Sequence, residues 1–138
     1  MINKTVYAVV IFAAIIGLVT LGVNSSNEHN LAFAQGDQVN VSIVNGSATM
    51  TEDGYDPDPV QVTAGQTVVW TNDDIAFHTV TSGLPGAPDA GVLFDSGLEG
   101  PTALDTQGKT FEHTFDTAGE FDYHCIVHPA LVGKVIVS

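Results

Sequence analysis

Arginine is absent from this 138-residue chain, and lysine occurs only at Lys4, Lys109 and Lys134, against 16 aspartates and glutamates. With a formal net charge of -13 at pH 7 there is almost no cation to neutralise phosphate, so no nucleic-acid partner is expected. Cysteine occurs once, at Cys125. An internal disulfide is therefore impossible, and the thiol, where it acts, acts as a thiolate. Methionine occurs only at Met1 and Met50. After residue 35 there is no helical period of useful length, and no nucleotide-binding loop, paired-carboxylate motif or serine-protease signature stands out.

Long apolar runs are also missing, with one exception. Lys4 precedes the uncharged stretch Val6 to Val23, and polar Asn24 to Asn30 separates that stretch from the rest. A positive residue followed by an apolar run is the pattern of an export signal, and 18 residues also suffice to span a bilayer as a helix. Ala32-Phe33-Ala34 resembles a small-residue cleavage site. Residues 1–34 are thus expected to be an export signal or membrane anchor with a short polar linker, and 35–138 a single domain. Both readings place the domain outside the cytoplasm, secreted or held at the outer face of the membrane. No cysteine stands near the apolar run, so a cysteine-linked lipid anchor there is excluded. From residue 35 on, 15 acids face two lysines. They are scattered rather than clustered, which favours solubility over steering of a basic partner.

The domain reads as all-β. Residues 38–44, 60–62, 67–70, 109–115, 121–125 and 133–137 are short runs rich in β-branched and aromatic residues, mostly alternating with period two. Asn45-Gly46, Asp56-Pro57-Asp58-Pro59, Ala64-Gly65, Asn72-Asp73-Asp74 and Thr117-Ala118-Gly119 separate them as turns. This spacing predicts an antiparallel sandwich or barrel. Ser82 to Thr106, with five glycines and three prolines in 25 residues, is expected to be a long excursion holding one or two short edge strands.

Alternation also sorts the chemistry. Phe121, Tyr123 and Cys125 share one face of their strand, so Cys125 is expected to point inward, while Asp122 and His124 share the other. His128 follows in the turn before the last strand. His78 shares a face with Ala76 and Val80, so it too can look inward at one end of the sandwich. One thiolate and two imidazoles form a set that first-row transition metals, copper above all, bind well. Each residue alone is more often bland, a buried thiol or a hydrogen-bonded histidine. Together, Tyr123-x-Cys125-x2-His128-Pro129 with His78 upstream is far more specific. Zinc would bind the same set but cannot transfer electrons. A Cys–His hydrolase lacks support, because no helix N-terminus stands by to activate Cys125.

Four stretches then resemble the cupredoxins, the small blue-copper family of plastocyanin, amicyanin and pseudoazurin: residues 59–72, Phe77-His78-Thr79-Val80, residues 115–129 and residues 133–137. They span most of 36–138 in the family's order. The resemblance implies an eight-stranded Greek-key sandwich with one copper at one end. It implies that His78, Cys125 and His128 are the three equatorial ligands, and that the protein carries single electrons between redox partners rather than acting as an enzyme. It also implies docking of partners near His128, with Pro129, Ala130, Leu84 and Pro85 as an apolar rim. Thr79 or backbone N–H groups are expected to brace the sulfur or its loop.

Two positions depart from the family's pattern. The usual axial methionine would fall at Leu131, which has no donor atom. Leu131 either caps the copper or leaves a fourth position open to a small molecule such as nitric oxide or nitrite, which would make the protein a redox catalyst or binder. The second is His124, directly before Cys125, which copper oxidases and nitrite reductases use to reach a second copper. His113 is the other free histidine of the domain, expected at the core edge with a hydrogen bond, and His29 belongs to the leader or linker. His124 is expected to be an exposed strand residue unless it joins a second site.

Overall fold

The structure is a computed structural model that describes residues 37–50 and 53–138. The expected signal or anchor, and the division after residue 34, lie outside the described residues. Among the described residues no helix is long and apolar enough to cross a membrane. Eight strands form two four-stranded sheets: β1 Gln38–Ile43, β2 Tyr55–Asp56, β3 Val60–Val62, β4 Gln66–Asn72, β5 Thr81–Ser82, β6 Thr110–Phe115, β7 Gly119–His124 and β8 Val132–Val137. One sheet has the order β2-β1-β4-β6 and the other β3-β8-β7-β5.

The alternating residues of facing strands fill the space between the sheets. Val39, Val41 and Ile43 of β1, Val68 and Trp70 of β4, Phe111 and Phe115 of β6, Tyr123 of β7, and Val135 and Val137 of β8 are all buried. Trp70 is the hub. Its ring lies 5.4 Å from Tyr123, 5.8 Å from Phe94, 5.8 Å from Phe111 and 6.4 Å from Phe115. Each such aromatic pair adds roughly 0.5–1.5 kcal/mol beyond area burial.

The sheets are mixed, not antiparallel as expected. β1 pairs with β4 in parallel, Val41 opposite Trp70, and β3 pairs with β8 in parallel, Val60 opposite Val135. After β2 the chain leaves the first sheet, adds β3 to the second and returns as β4, so β4 runs in the same direction as β1. β2 itself was not expected, and its Asp56 was expected to open a turn. Its two residues pair with Ser42 and Ile43, and Tyr55 is held by burial rather than by any local run of strand formers. The excursion after residue 82 contributes little strand, as expected: β5 at its start and two isolated bridges, His78 with Leu104 and Thr81 with Asp95. Its buried Phe94, Ala103 and Leu104 tie it to the core.

β8 packs so closely on β7 that residue 133 must be glycine. A Cβ there would fall 2.5 Å from Cζ of the fully buried Tyr123 ring. Gly133→Ala should therefore cost about 1–3 kcal/mol through overpacking. Urea unfolding should show a lower midpoint with an unchanged slope.

Candidate metal centre

One end of the sandwich gathers the three side chains singled out by sequence. β7 ends at His124, and Cys125 follows with its side chain in the core. His78 lies between β4 and β5 and is fixed through its backbone, since its N–H donates to the Leu104 carbonyl at 3.1 Å. The same carbonyl accepts from Asn72 Nδ2 at 2.9 Å, which joins the end of β4 to the excursion and to this loop. His128 sits in the turn between β7 and β8. That turn is closed by two backbone bonds, Cys125 N–H to Leu131 O at 3.0 Å and Leu131 N–H to His128 O at 2.8 Å.

Cys125 Sγ is 3.8 Å from His78 Nδ1 and 3.6 Å from His128 Nδ1. The three candidate donor atoms lie within 4.8 Å of one another. Cys125 and His78 are buried and His128 is half-buried. One soft sulfur and two imidazole nitrogens at this spacing surround a space that one ion would fill, so the residues present fit copper.

Thr79 braces the sulfur in both ways the sequence left open. Its N–H donates to Cys125 Sγ at 3.3 Å, and its hydroxyl accepts from the Ile126 N–H at 2.8 Å. Tyr55 donates to the Thr79 carbonyl at 3.0 Å. Leu131 is fully buried and packs on the backbone of Gly54, where a Cβ would fall 2.2 Å from Leu131 Cδ1.

Sequence reasoning missed the residues behind His78. Buried Asp74 takes His78 Nε2 at 2.9 Å, and Ser47 Oγ stands 3.2 Å from the same nitrogen. Asn72-Asp73-Asp74 read only as a turn; a carboxylate four residues before a candidate histidine was the available signal. For Ser47, brought in from another segment, there was none.

Three expectations need correction. His124 is only 5% exposed, not the exposed strand residue expected, and its Nδ1 donates to the Gly83 carbonyl at 2.7 Å. The excursion folds over that face of β7, which strand alternation alone cannot reveal. Leu84 and the turn it opens do not border His128. Leu84 lines a groove with Gly83, Glu120, Phe121 and Asp122, because β5 runs antiparallel to β7 and carries the chain away from the end that holds Cys125. His113 is half-buried at the core edge, as expected, but makes ring contacts in place of a hydrogen bond. It packs 4.8 Å from Phe94 and 4.9 Å from Phe115, and burial lowers its pKa. Among the described residues His78, Cys125 and His128 form the one group of three such side chains able to hold an ion. His29 lies outside the described residues.

Electrostatics favour a ligating sulfur. Burial pushes the Cys125 thiol up, but hydrogen bonds from His78, the Thr79 N–H and His128 outweigh it and lower the pKa to about 6. Burial pushes His78 down, and its bonds to Cys125 and Asp74 raise it overall. In metal-free protein the thiolate absorbance should therefore be small below pH 6 and rise with a midpoint near 6, rather than near the ordinary thiol value of about 8.5. An ultraviolet pH titration against Cys125→Ser as blank measures this; a midpoint above 8 would contradict it.

The sequence profile of copper-binding proteins of the plastocyanin/azurin family matches residues 38–138. Amicyanin from Paracoccus denitrificans is 37% identical over 84 residues, which is 61% of this chain and 58% of amicyanin. The chloroplastic plastocyanin of Tetradesmus obliquus is 38% identical over 86 residues, with the same shares of 61% and 58%. The chain thus spans less than two thirds of the length of these curated relatives. Among solved structures, a novel purple cupredoxin from Nitrosopumilus maritimus superposes with a TM-score of 0.61 at 37% identity, over 72% of this chain and 99% of that one. The chain belongs to the plastocyanin/azurin family of copper-binding proteins, the cupredoxins.

Proposed function

We propose that His78 Nδ1, Cys125 Sγ and His128 Nδ1 hold one copper ion and that this protein carries one electron at a time between redox partners. Cupredoxins bind one copper and carry electrons as type 1 copper proteins. The observation that carries the assignment to these residues is the convergence of the three donor atoms within 4.8 Å at the end of a rigid sandwich. Bound copper supplies a one-electron couple between Cu(II) and Cu(I).

The chain's own part is to hold the donors still. Thr79 fixes the sulfur, the Cys125–Leu131 backbone bond closes the turn, and the Leu104 carbonyl fixes the His78 backbone. A donor set pinned this way rearranges little between two oxidation states, which lowers the reorganisation that opposes electron transfer. His128 is the electron port in this reading. It is half-buried while His78 is fully buried, and Ile126, Val127, Pro129 and Ala130 beside it are exposed. Such a small apolar surface suits weak, transient docking. Placement outside the cytoplasm, secreted or membrane-anchored, rests on the apolar leader Val6 to Val23.

A second reading comes from Leu131, which puts no donor atom at the fourth position. A small molecule such as nitric oxide or nitrite would bind copper there and be turned over. The burial of Leu131 and its contact with Gly54 favour an apolar cap and thus the carrier.

Reconstitution with Cu(II) should give near one copper per chain and a strong visible band that is lost in Cys125→Ser. A colourless protein would argue for zinc or for no metal site, and near two coppers for an enzyme with a second site. Titration of the oxidised protein with azide should leave its visible and electron spin resonance spectra unchanged. Altered spectra would overturn the capped reading in favour of the catalyst.

A further inference from the structure

We infer that Asp74 is a positioning residue that locks His78 in one tautomer and makes its imidazole a stronger donor, favouring Cu(II) over Cu(I) at the site. The inference rests on the copper reading proposed above and assigns part of the control of the potential to a residue outside the ligand set.

Asp74 is 2% exposed, yet its one ion-pair partner among the described residues is His78. Backbone and hydroxyl donors hold the charge instead. Oδ1 accepts from the N–H of Gly46 at 3.1 Å and of Ile75 at 2.8 Å. Oδ2 accepts from the Ala48 N–H at 3.4 Å, from Ser47 Oγ at 3.4 Å and from His78 Nε2 at 2.9 Å. Burial alone would push this carboxyl up; the hydrogen bonds from His78 and the three backbone N–H groups outweigh it and hold it well below the usual carboxylate range. The backbone donors come from two separate segments, 46–48 and residue 75, so the carboxylate cannot swing away from the ring.

An ionised carboxylate only accepts hydrogen bonds. Nε2 must therefore carry the proton, and the lone pair of the neutral ring falls on Nδ1, the atom 3.8 Å from Cys125 Sγ. A carboxylate behind a ligating histidine fixes its orientation and raises its basicity. A more basic donor and a buried negative charge one ring away both stabilise the more positive metal state. Nδ1 of His128 also faces the sulfur, but among the described residues that ring has only the sulfur and the His78 ring as partners. One imidazole is thus anchored and the other is left at the surface.

Redox titration of copper-loaded wild type, Asp74→Asn and Asp74→Glu tests the inference. Asp74→Asn should lower the ratio of Cu(II) to Cu(I) affinity at least tenfold, which is a rise in potential of about 59 mV for one electron. Asp74→Glu should restore part of the difference. Nitrogen NMR of the Cu(I)-loaded wild type should show His78 protonated at Nε2 with slow exchange. An unchanged potential in a folded Asp74→Asn protein, or an Nε2 proton of His78 that exchanges as fast as that of His128 in the wild type, would overturn the inference. Should Asp74→Asn not fold, the exchange of that Nε2 proton in the wild type decides. A wild type that takes up no copper would instead overturn the ligand assignment, and the role of Asp74 with it.

Discussion

The sulfur of Cys125 is buried among core side chains, and a buried sulfur that ionises needs hydrogen-bond donors around it. Period-two alternation along β7 leaves it no other direction, because Tyr123 on the same face is fully enclosed beside Trp70. Everything at that end of the sandwich answers this constraint. Thr79 brings an N–H to the sulfur, and the turn from Cys125 to Leu131 brings His128 back over it. His78 arrives on a loop held by the excursion. The thiolate is favoured because these donors together outweigh the cost of burying its charge.

The same balance recurs behind His78. A chain this acidic nonetheless buries one carboxylate among its described residues, Asp74, against a histidine. Burying a charge is expensive unless hydrogen bonds satisfy it. Three backbone N–H groups, a serine hydroxyl and an imidazole do so here. The remaining acids are mostly exposed and contribute little individually. The protein therefore separates two uses of acidic residues: many on the surface for solubility, and one inside with a defined donor shell.

Much of the architecture was legible because burial imposes a pattern on the chain itself. β1, β4, β6, β7 and β8 could be read from alternation, and their inward residues are the core. Cys125 and His128 stood out because the one cysteine lies three residues before a histidine followed by Pro129, and His78 joined them from a separate upstream motif. What was not legible depends on contacts distant in sequence. β2 is two residues long and exists only through pairing with β1. The parallel pairings follow from which sheet each strand joins, which no local run encodes. His124 alternates outward as expected, yet the excursion covers it; Leu84, expected beside the metal, was carried away by the direction of β5.

By itself the sequence determined the ingredients: an all-β domain, an inward cysteine, two histidines within reach, and a residue without a donor atom, Leu131, where the family likeness leads one to expect methionine. These follow from composition, from alternation and from the likeness of a few motifs to one family. Tertiary structure alone decided the environment of those ingredients. It placed Gly54 against Leu131, Tyr55 on Thr79, and Asp74 with Ser47 behind His78. The physical reason is that hydrogen bonding and close packing are properties of pairs, and most of these pairs join segments separated by more than twenty residues. A residue type can be read from its own position, whereas its partner is chosen by the fold.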